Sequence, residues 1–236
     1  AELEQLAGNE ENINKLAKEI EKKEKIVAKL AIELADMREI GAKALKQGVE
    51  KELKELHMNG VRFGVDFNYP PDPQGFVQYH KEKLKPTSIG LGTLEFLFSP
   101  NPGEELRPLA KIASGGELSR IMLALKSILN KQDTIPVMIF DEVDTGIGGR
   151  IAEKVGTKLK KVAETKQVFC ITHLPQIAGM ASTHFRVEKN VQGKRTRAGI
   201  RQLEFAERVE ELARMSSGEK ITEASLQHAR ELISDH

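Results

Sequence analysis

The chain has 236 residues, enough for one or two domains and a sizeable core. Thirty-six Lys and Arg against 35 Asp and Glu leave a net charge of +1, so no whole-chain field draws it to nucleic acid or acidic lipid, and a charged partner must meet a local patch. The single cysteine, Cys170, excludes an intramolecular disulfide and a zinc ribbon, and no apolar run approaches the ~20 residues of a membrane-spanning helix; a reducing, cytosolic compartment fits.

Ala1 falls mid-pattern in a charged helical repeat, with neither an initiator Met nor an apolar leader, and this predicts a piece of a longer protein. Composition divides the sequence near His57. Residues 1–57 hold 24 charged side chains and no aromatic or proline, whereas 58–236 hold every Phe, Tyr and Pro. In the first segment Leu6, Ile13, Ile20, Val27 and Leu34 recur every seven residues, with Leu16, Leu30 and Met37 interleaved and Asn9 and Lys23 interrupting. That is a coiled-coil seam, and it predicts an arm over 1–57, roughly 85 Å long if helical throughout. One such helix cannot bury its own stripe, so a second must come from elsewhere. Past Met37 the register drifts through Gly41, Ala44, Leu45, Val49, Leu53 and Leu56, as expected where an arm meets a globular body.

From Met58 the pattern changes to short apolar runs punctuated by Gly and Pro. Val61–Phe67 and Gly92–Phe98 read as strands around the turn-rich 69–75 stretch. A helix is predicted over 117–129, an apolar strand over 136–140, a helix over 149–163 and a second apolar strand over 167–172. This alternation predicts an α/β fold whose parallel sheet is covered on both faces. A hairpin (184–190 with 194–203, about Gln192-Gly193) and two amphipathic helices (204–215 and 221–234) complete the expectation for a lobe over 58–236.

Chemistry concentrates in three places. Ala113-Ser-Gly-Gly-Glu-Leu-Ser-Arg120 runs directly into an apolar-periodic helix, with Ser114 as a hydroxyl cap, Gly115 and Gly116 open to close approach, and Glu117 in the first turn. Exposed N–H groups at such an end suit a phosphate, although the same turn also serves as plain capping. Val137-Met-Ile-Phe-Asp141-Glu142 places two carboxylates at the end of an apolar strand, the edge where ligands of open α/β sheets collect. Asp141 is a candidate Mg²⁺ ligand and Glu142 a candidate to polarise an attacking water; solvated strand-end acids are the alternative. The glycine-rich Asp144-Thr-Gly-Ile-Gly-Gly149 follows, and the second strand ends in His173, a donor able to reach a phosphoryl oxygen. Arg186, Lys189, Lys194, Arg195, Arg197 and Arg201 cluster around the hairpin as candidate phosphate contacts, against the alternative of a solvated face. Cys170 reads as a small buried hydrophobe.

In this order the motifs resemble those of ABC-type ATPases: a signature loop at Ser114–Glu117, a Walker B strand ending at Asp141 and Glu142, a D-loop from Asp144, and a switch histidine at His173. KIASGGELSRIMLALK, IFDEVDTGIGGRIAEKVG, ITHLPQIAGMA and ELARM look like the RecN family of bacterial DNA-repair proteins, SMC-like ATPases, over essentially the whole chain. A transporter ATPase is disfavoured, because its Asp-Glu pair would normally precede a Pro-Thr-Ser type run. Met215-Ser-Ser-Gly218 departs from the family where a Leu is expected after the Met. No Gly-x-x-x-x-Gly-Lys-Ser/Thr string occurs; the family carries that loop in its N-terminal half, so the chain looks like the C-terminal half of a split head.

The resemblance implies ATP and Mg²⁺ as ligands. It assigns catalytic roles to Glu142 and His173, the metal to Asp141, and nucleotide contacts to Ser114, Gly115, Gly116, Glu117 and Asp144. The implied partners are the N-terminal half of the same protein, a second head as homodimer, and DNA at double-strand breaks, with no membrane; the implied location is cytoplasmic and nucleoid-associated. A rival reading from another class is a non-catalytic coiled-coil module whose head only dimerises.

Overall fold

The computed structural model describes residues 2–111, 114–130, 132–192, 195–218 and 220–234. Its elements are α1 (Glu2–Glu55), β1 (Arg62–Asn68), β2 (Val77–Tyr79), β3 (Glu82–Leu84), β4 (Thr93–Ser99), β5 (Arg107–Pro108), α2 (Gly115–Leu129), β6 (Val137–Phe140), α3 (Gly149–Ala163), β7 (Gln167–Cys170), α4 (Pro175–Gly179), β8 (Phe185–Gln192), β9 (Arg195–Gln202), α5 (Phe205–Ser217) and α6 (Glu223–Ser234). The chain is α/β with a long N-terminal helix. Two compact units divide it: residues up to Gly48 with 62–99 and 103–108, and residues 49–61 with 100–102 and 109 onward.

This division cuts across the compositional boundary at His57. In the first unit, Ala31 and Ala35 of α1 form a buried cluster with Val77, Tyr79, Leu84 and Leu91. Small alanines let the β2–β3 hairpin lie close against the helix, so one face of α1 is covered by its own chain. The seam residues Ile13, Leu16, Ile20, Val27, Leu30, Leu34 and Met37 remain exposed on the helix. Asp36 and Glu39 anchor the hairpin from the helix side, Tyr79 Oη donating to Asp36 Oδ1 at 3.0 Å and to Glu39 Oε1 at 3.3 Å, and Tyr69, just after β1, donates to the same Glu39 oxygen at 3.1 Å. Strands β1, β4 and β5 form an antiparallel sheet in which Phe63 pairs with Phe98, both buried.

The second unit begins with the end of α1. His57 takes a left-handed conformation (φ 60°) and Met58 N donates back to Leu53 O at 3.0 Å, a helix stop that normally uses glycine. Lys158 of α3 binds Glu52, and Glu55 at 2.7 Å, both at that helix end. Strands β6 and β7 are parallel, with Val137 opposite Gln167 and Phe140 opposite Cys170. Met138 and Phe140 are buried, as are Ala152, Val155, Leu159 and Val162 of α3. Val137, Ile139, Phe169 and Ile171 are exposed, Ile139 by 70%. Where the sequence predicts cover on both faces, β6 and β7 form, among the described residues, a two-stranded parallel pair whose face carrying Val137, Ile139, Phe169 and Ile171 is left bare by this chain.

Helix α2 starts at Gly115, two residues before its predicted start, and β7 stops at Cys170, two before its predicted end. The hairpin forms as β8 and β9 in antiparallel register, with Arg186 opposite Arg201 and Val187 opposite Ile200. Its predicted turn at Gly193 lies outside the described residues.

Candidate functional site

The site lies wholly in the second unit, where the loop after β6 runs between the start of α2 and the end of β7. Ser114 caps α2 in an extended conformation, its Oγ accepting from Glu117 N at 3.4 Å. The capping expectation from the sequence is met here. Ser114 and Gly115 are exposed and Gly116 is buried.

The glycines serve this chain's own loop. A Cβ on Gly115 would stand 2.0 Å from Glu142 Oε2; one on Gly116 would lie 3.0 Å from Thr145 Cβ and 3.1 Å from Glu142 O. The Glu142 carboxylate thus lies against the start of α2, where a side chain on Gly115 would project. Glu142 itself sits at φ 57°, a left-handed conformation that costs a non-glycine residue about 1 kcal/mol and clusters at functional sites. Asp141 is exposed and its Oδ1 accepts from Glu142 N at 2.9 Å.

Two side chains that motif reading did not single out clamp α2 to this loop. Ser119 Oγ donates to Asp141 O at 2.5 Å, and the buried Arg120 donates from Nη1 to Thr145 O at 2.9 Å and Val143 O at 3.4 Å. Burial pulls the Arg120 guanidinium below its ordinary pKa, with the Glu117 charge acting in the other direction. The signal for Arg120 was present in the sequence: it sits five residues after Gly115, on the face carrying Ile121 and Ala124 rather than among the solvated charges.

Asp144 differs from its neighbours. Its carboxylate is 4% exposed, and Oδ2 accepts from Thr172 Oγ1 at 2.6 Å and His173 N at 2.9 Å while lying 3.0 Å from His173 Nδ1. A carboxylate only accepts, so Nδ1 carries the proton toward it and Nε2 is left for other partners. The His173 side chain is 72% exposed. The structure thus brings Asp144 to His173 and Thr172. Cys170, next to this group, is half-buried; burial pushes its thiol up to about 12, with Asp144 and Asp141 adding to the shift.

Among the described residues no three His, Cys, Asp or Glu side chains gather to hold a metal ion. The donor set fits Mg²⁺ only in part. Asp141 can supply one carboxylate oxygen, and an ion that prefers a few carboxylates plus phosphate and water oxygens must find the rest outside these residues. No described helix is long and apolar enough to cross a membrane.

The hairpin cations are partly committed. Arg186 binds Glu188 and the buried Glu211, each at 3.1 Å, and Arg201 binds Glu207 of α5. Lys189 and Arg197 are exposed; Lys194 and the side chain of Arg195 lie outside the described residues.

No protein-family model matches the chain. It is 38% identical over 234 residues to the DNA repair protein RecN of Bacillus subtilis (strain 168), covering 98% of this chain and 41% of that protein. It is 44% identical over 205 residues to the DNA repair protein RecN of Rickettsia prowazekii (strain Madrid E), covering 87% and 35%. With RecN of Streptomyces coelicolor it shares 40% over 204 residues, 86% of this chain and 36% of that one. The chain thus spans about two fifths of the length of these relatives. Among solved structures it is similar to the Smc head domain with a coiled coil and joint derived from Pyrococcus yayanosii, with a TM-score of 0.49 and 18% identity over 77% of this chain and 30% of that one.

Proposed function

For this chain, which belongs to the RecN family and matches the C-terminal half of its members, we propose the role of C-terminal lobe and arm of an SMC-like ATPase head that acts in recombinational repair of DNA double-strand breaks. Residues 1–57 are the arm and 58–236 the lobe. The N-terminal half of the same protein supplies the opposing coiled-coil helix and the phosphate-binding loop that this sequence lacks. The exposed seam of α1 and the bare face carrying Val137, Ile139, Phe169 and Ile171 support that reading, since apolar surface of this kind is normally covered.

The substrate is ATP, held between two heads of a homodimer. Asp141 would hold Mg²⁺ together with phosphate oxygens, and the ion would supply positive charge against the phosphates. Glu142 positions or deprotonates the attacking water, and His173 Nε2 faces the γ-phosphate of the same head. Ser114, Gly115 and Gly116, with Glu117 behind them, reach the γ-phosphate on the opposite head, which requires the Glu142 carboxylate to leave the α2 N-terminus as phosphate arrives. ATP-driven dimerisation tethers DNA, in the cytoplasm at the nucleoid.

The observation that carries this reading is the convergence of the glycine-rich α2 start, the Asp141-Glu142 strand end and His173 on one loop, through the Glu142–Gly115 apposition and the Asp144–His173 contact. Glu142→Gln in the full-length protein is expected to keep ATP binding and head dimerisation while cutting hydrolysis by ~10²-fold or more. Wild-type turnover in that variant removes Glu142 from the mechanism. The isolated chain is expected to show no micromolar ATP affinity by isothermal titration, because the phosphate cradle's N–H groups and lysine come from the missing loop.

A further inference from the structure

The proposed chemistry uses Asp141, Glu142 and His173, yet the most deeply buried carboxylate at the site is Asp144. Its Oδ2 gathers three hydrogens: the Thr172 hydroxyl at 2.6 Å, the His173 backbone N–H at 2.9 Å and His173 Nδ1 at 3.0 Å. One carboxylate thus pins Thr172 and His173, and the Thr172 Oγ1 in turn accepts from Leu174 N at 3.0 Å, at the start of α4. On the other side Arg120 holds the carbonyls of Val143 and Thr145, the neighbours of Asp144. A carboxylate held from both flanks and shielded from water cannot reach across to a nucleotide. It can fix the ring beside it.

We propose that Asp144 is a positioning residue for His173: with Thr172 it sets the orientation and the Nδ1-protonated tautomer of the imidazole, leaving Nε2 directed at the proposed phosphate. This rests on the ATPase reading above and reassigns Asp144 from a nucleotide contact to the group behind the switch histidine. The logic is that of a buried acid holding a catalytic imidazole. An isosteric amide turns an N–H toward Nδ1 and so favours the wrong tautomer while preserving shape.

Nitrogen-15 spectra of His173 in this chain, compared with Asp144→Asn and assigned by the loss of the signal in His173→Ala, test the geometry without any nucleotide. Nδ1 should be protonated in the parent and shift toward the Nε2-protonated tautomer in the variant. An unchanged tautomer overturns the proposal. In the full-length protein, Asp144→Asn is expected to lower kcat for ATP about ten- to a hundredfold with KM held within about threefold. Thr172→Ser should stay close to wild type, with Thr172→Val between the two. If Asp144→Asn melts early, Thr172→Val, which keeps the carboxylate, decides by the same kcat and tautomer readouts. Loss of turnover in His173→Ala but not in Asp144→Asn or Thr172→Val sinks the positioning role. Full turnover in His173→Ala instead sinks the ATPase assignment of His173, and the tautomer spectra then judge the geometry alone.

Discussion

Gly115 and Glu142 face each other so closely that a methyl group on the glycine would stand 2.0 Å from the Glu142 Oε2 oxygen. The α2 N-terminus and the acid at the end of β6 therefore share one space within a single chain. Gly115→Ala is expected to displace the carboxylate, since a flexible side-chain end moves more readily than a helix. Folding stability should change by less than about 1 kcal/mol, because Gly115 has no positive φ to strain. Thermal unfolding of the chain and ATP turnover of the full-length variant check the two halves: unchanged melting with a fall in turnover of ~10-fold or more is the expected pair.

Arg120 is the clamp between α2 and the loop carrying Asp144. Replacing it with Met removes the donor to two carbonyls in a buried setting and should cost about 2–3 kcal/mol in urea unfolding. Arg120→Lys should recover only part of this, because a point ammonium cannot match the planar guanidinium at both oxygens. A Met variant as stable as the parent would show the clamp to be idle.

Acid should weaken the α5 region in two steps. His184 is held below its ordinary value of 6.5, first by burial and then by the Arg208 charge, and among the described residues its buried Nδ1 has no hydrogen-bond partner. A lowered folded pKa means that the unfolded chain takes the proton first, so this contribution is complete above about 6.5 and is lost as pH falls below it. Burial pushes Glu211 up, but its Arg214 hydrogen bonds and the charges of Arg214 and Arg186 more than offset this and hold it below the usual 4.5. Its contribution is present above that value and lost as pH falls through the folded pKa. Unfolding curves between pH 7.5 and 3.5 should show both losses, and His184→Gln should flatten only the upper one.

Arg186 and Arg201 stand opposite each other across the hairpin, and two like charges there would repel without Glu211 and Glu207 beside them. Arg186→Ala should therefore lower the melting temperature, because it strips a partner from the buried Glu211. Lys189→Ala and Arg197→Ala should leave it unchanged. In the full-length protein the Lys189 and Arg197 changes should each reduce the salt dependence of DNA binding by about one unit of log–log slope. Equal melting losses in all of these variants would contradict the assignment of Arg186 to the fold.

Local chemistry made much of this protein legible in its sequence. The heptad spacing marked α1, the alternation of apolar runs marked α2, β6, α3 and β7, and Ser114 capped its helix as its residue type demands. These features depend on neighbours a few positions apart, whose geometry is set by the helix and strand periods themselves. The motif residues were legible too, but their relations were not. That Gly115 accommodates Glu142, that Asp144 turns inward to His173 and Thr172, and that Arg120 holds the loop between them are contacts across 23 to 29 positions, where no period links the partners. The same holds for Arg186 and Arg201, which read as a free basic patch until α5 brought acids against them, and for the β6–β7 pair, whose apolar runs marked burial without saying which face this chain covers. Periodicity dictates which side chains share a face; only packing decides what that face meets.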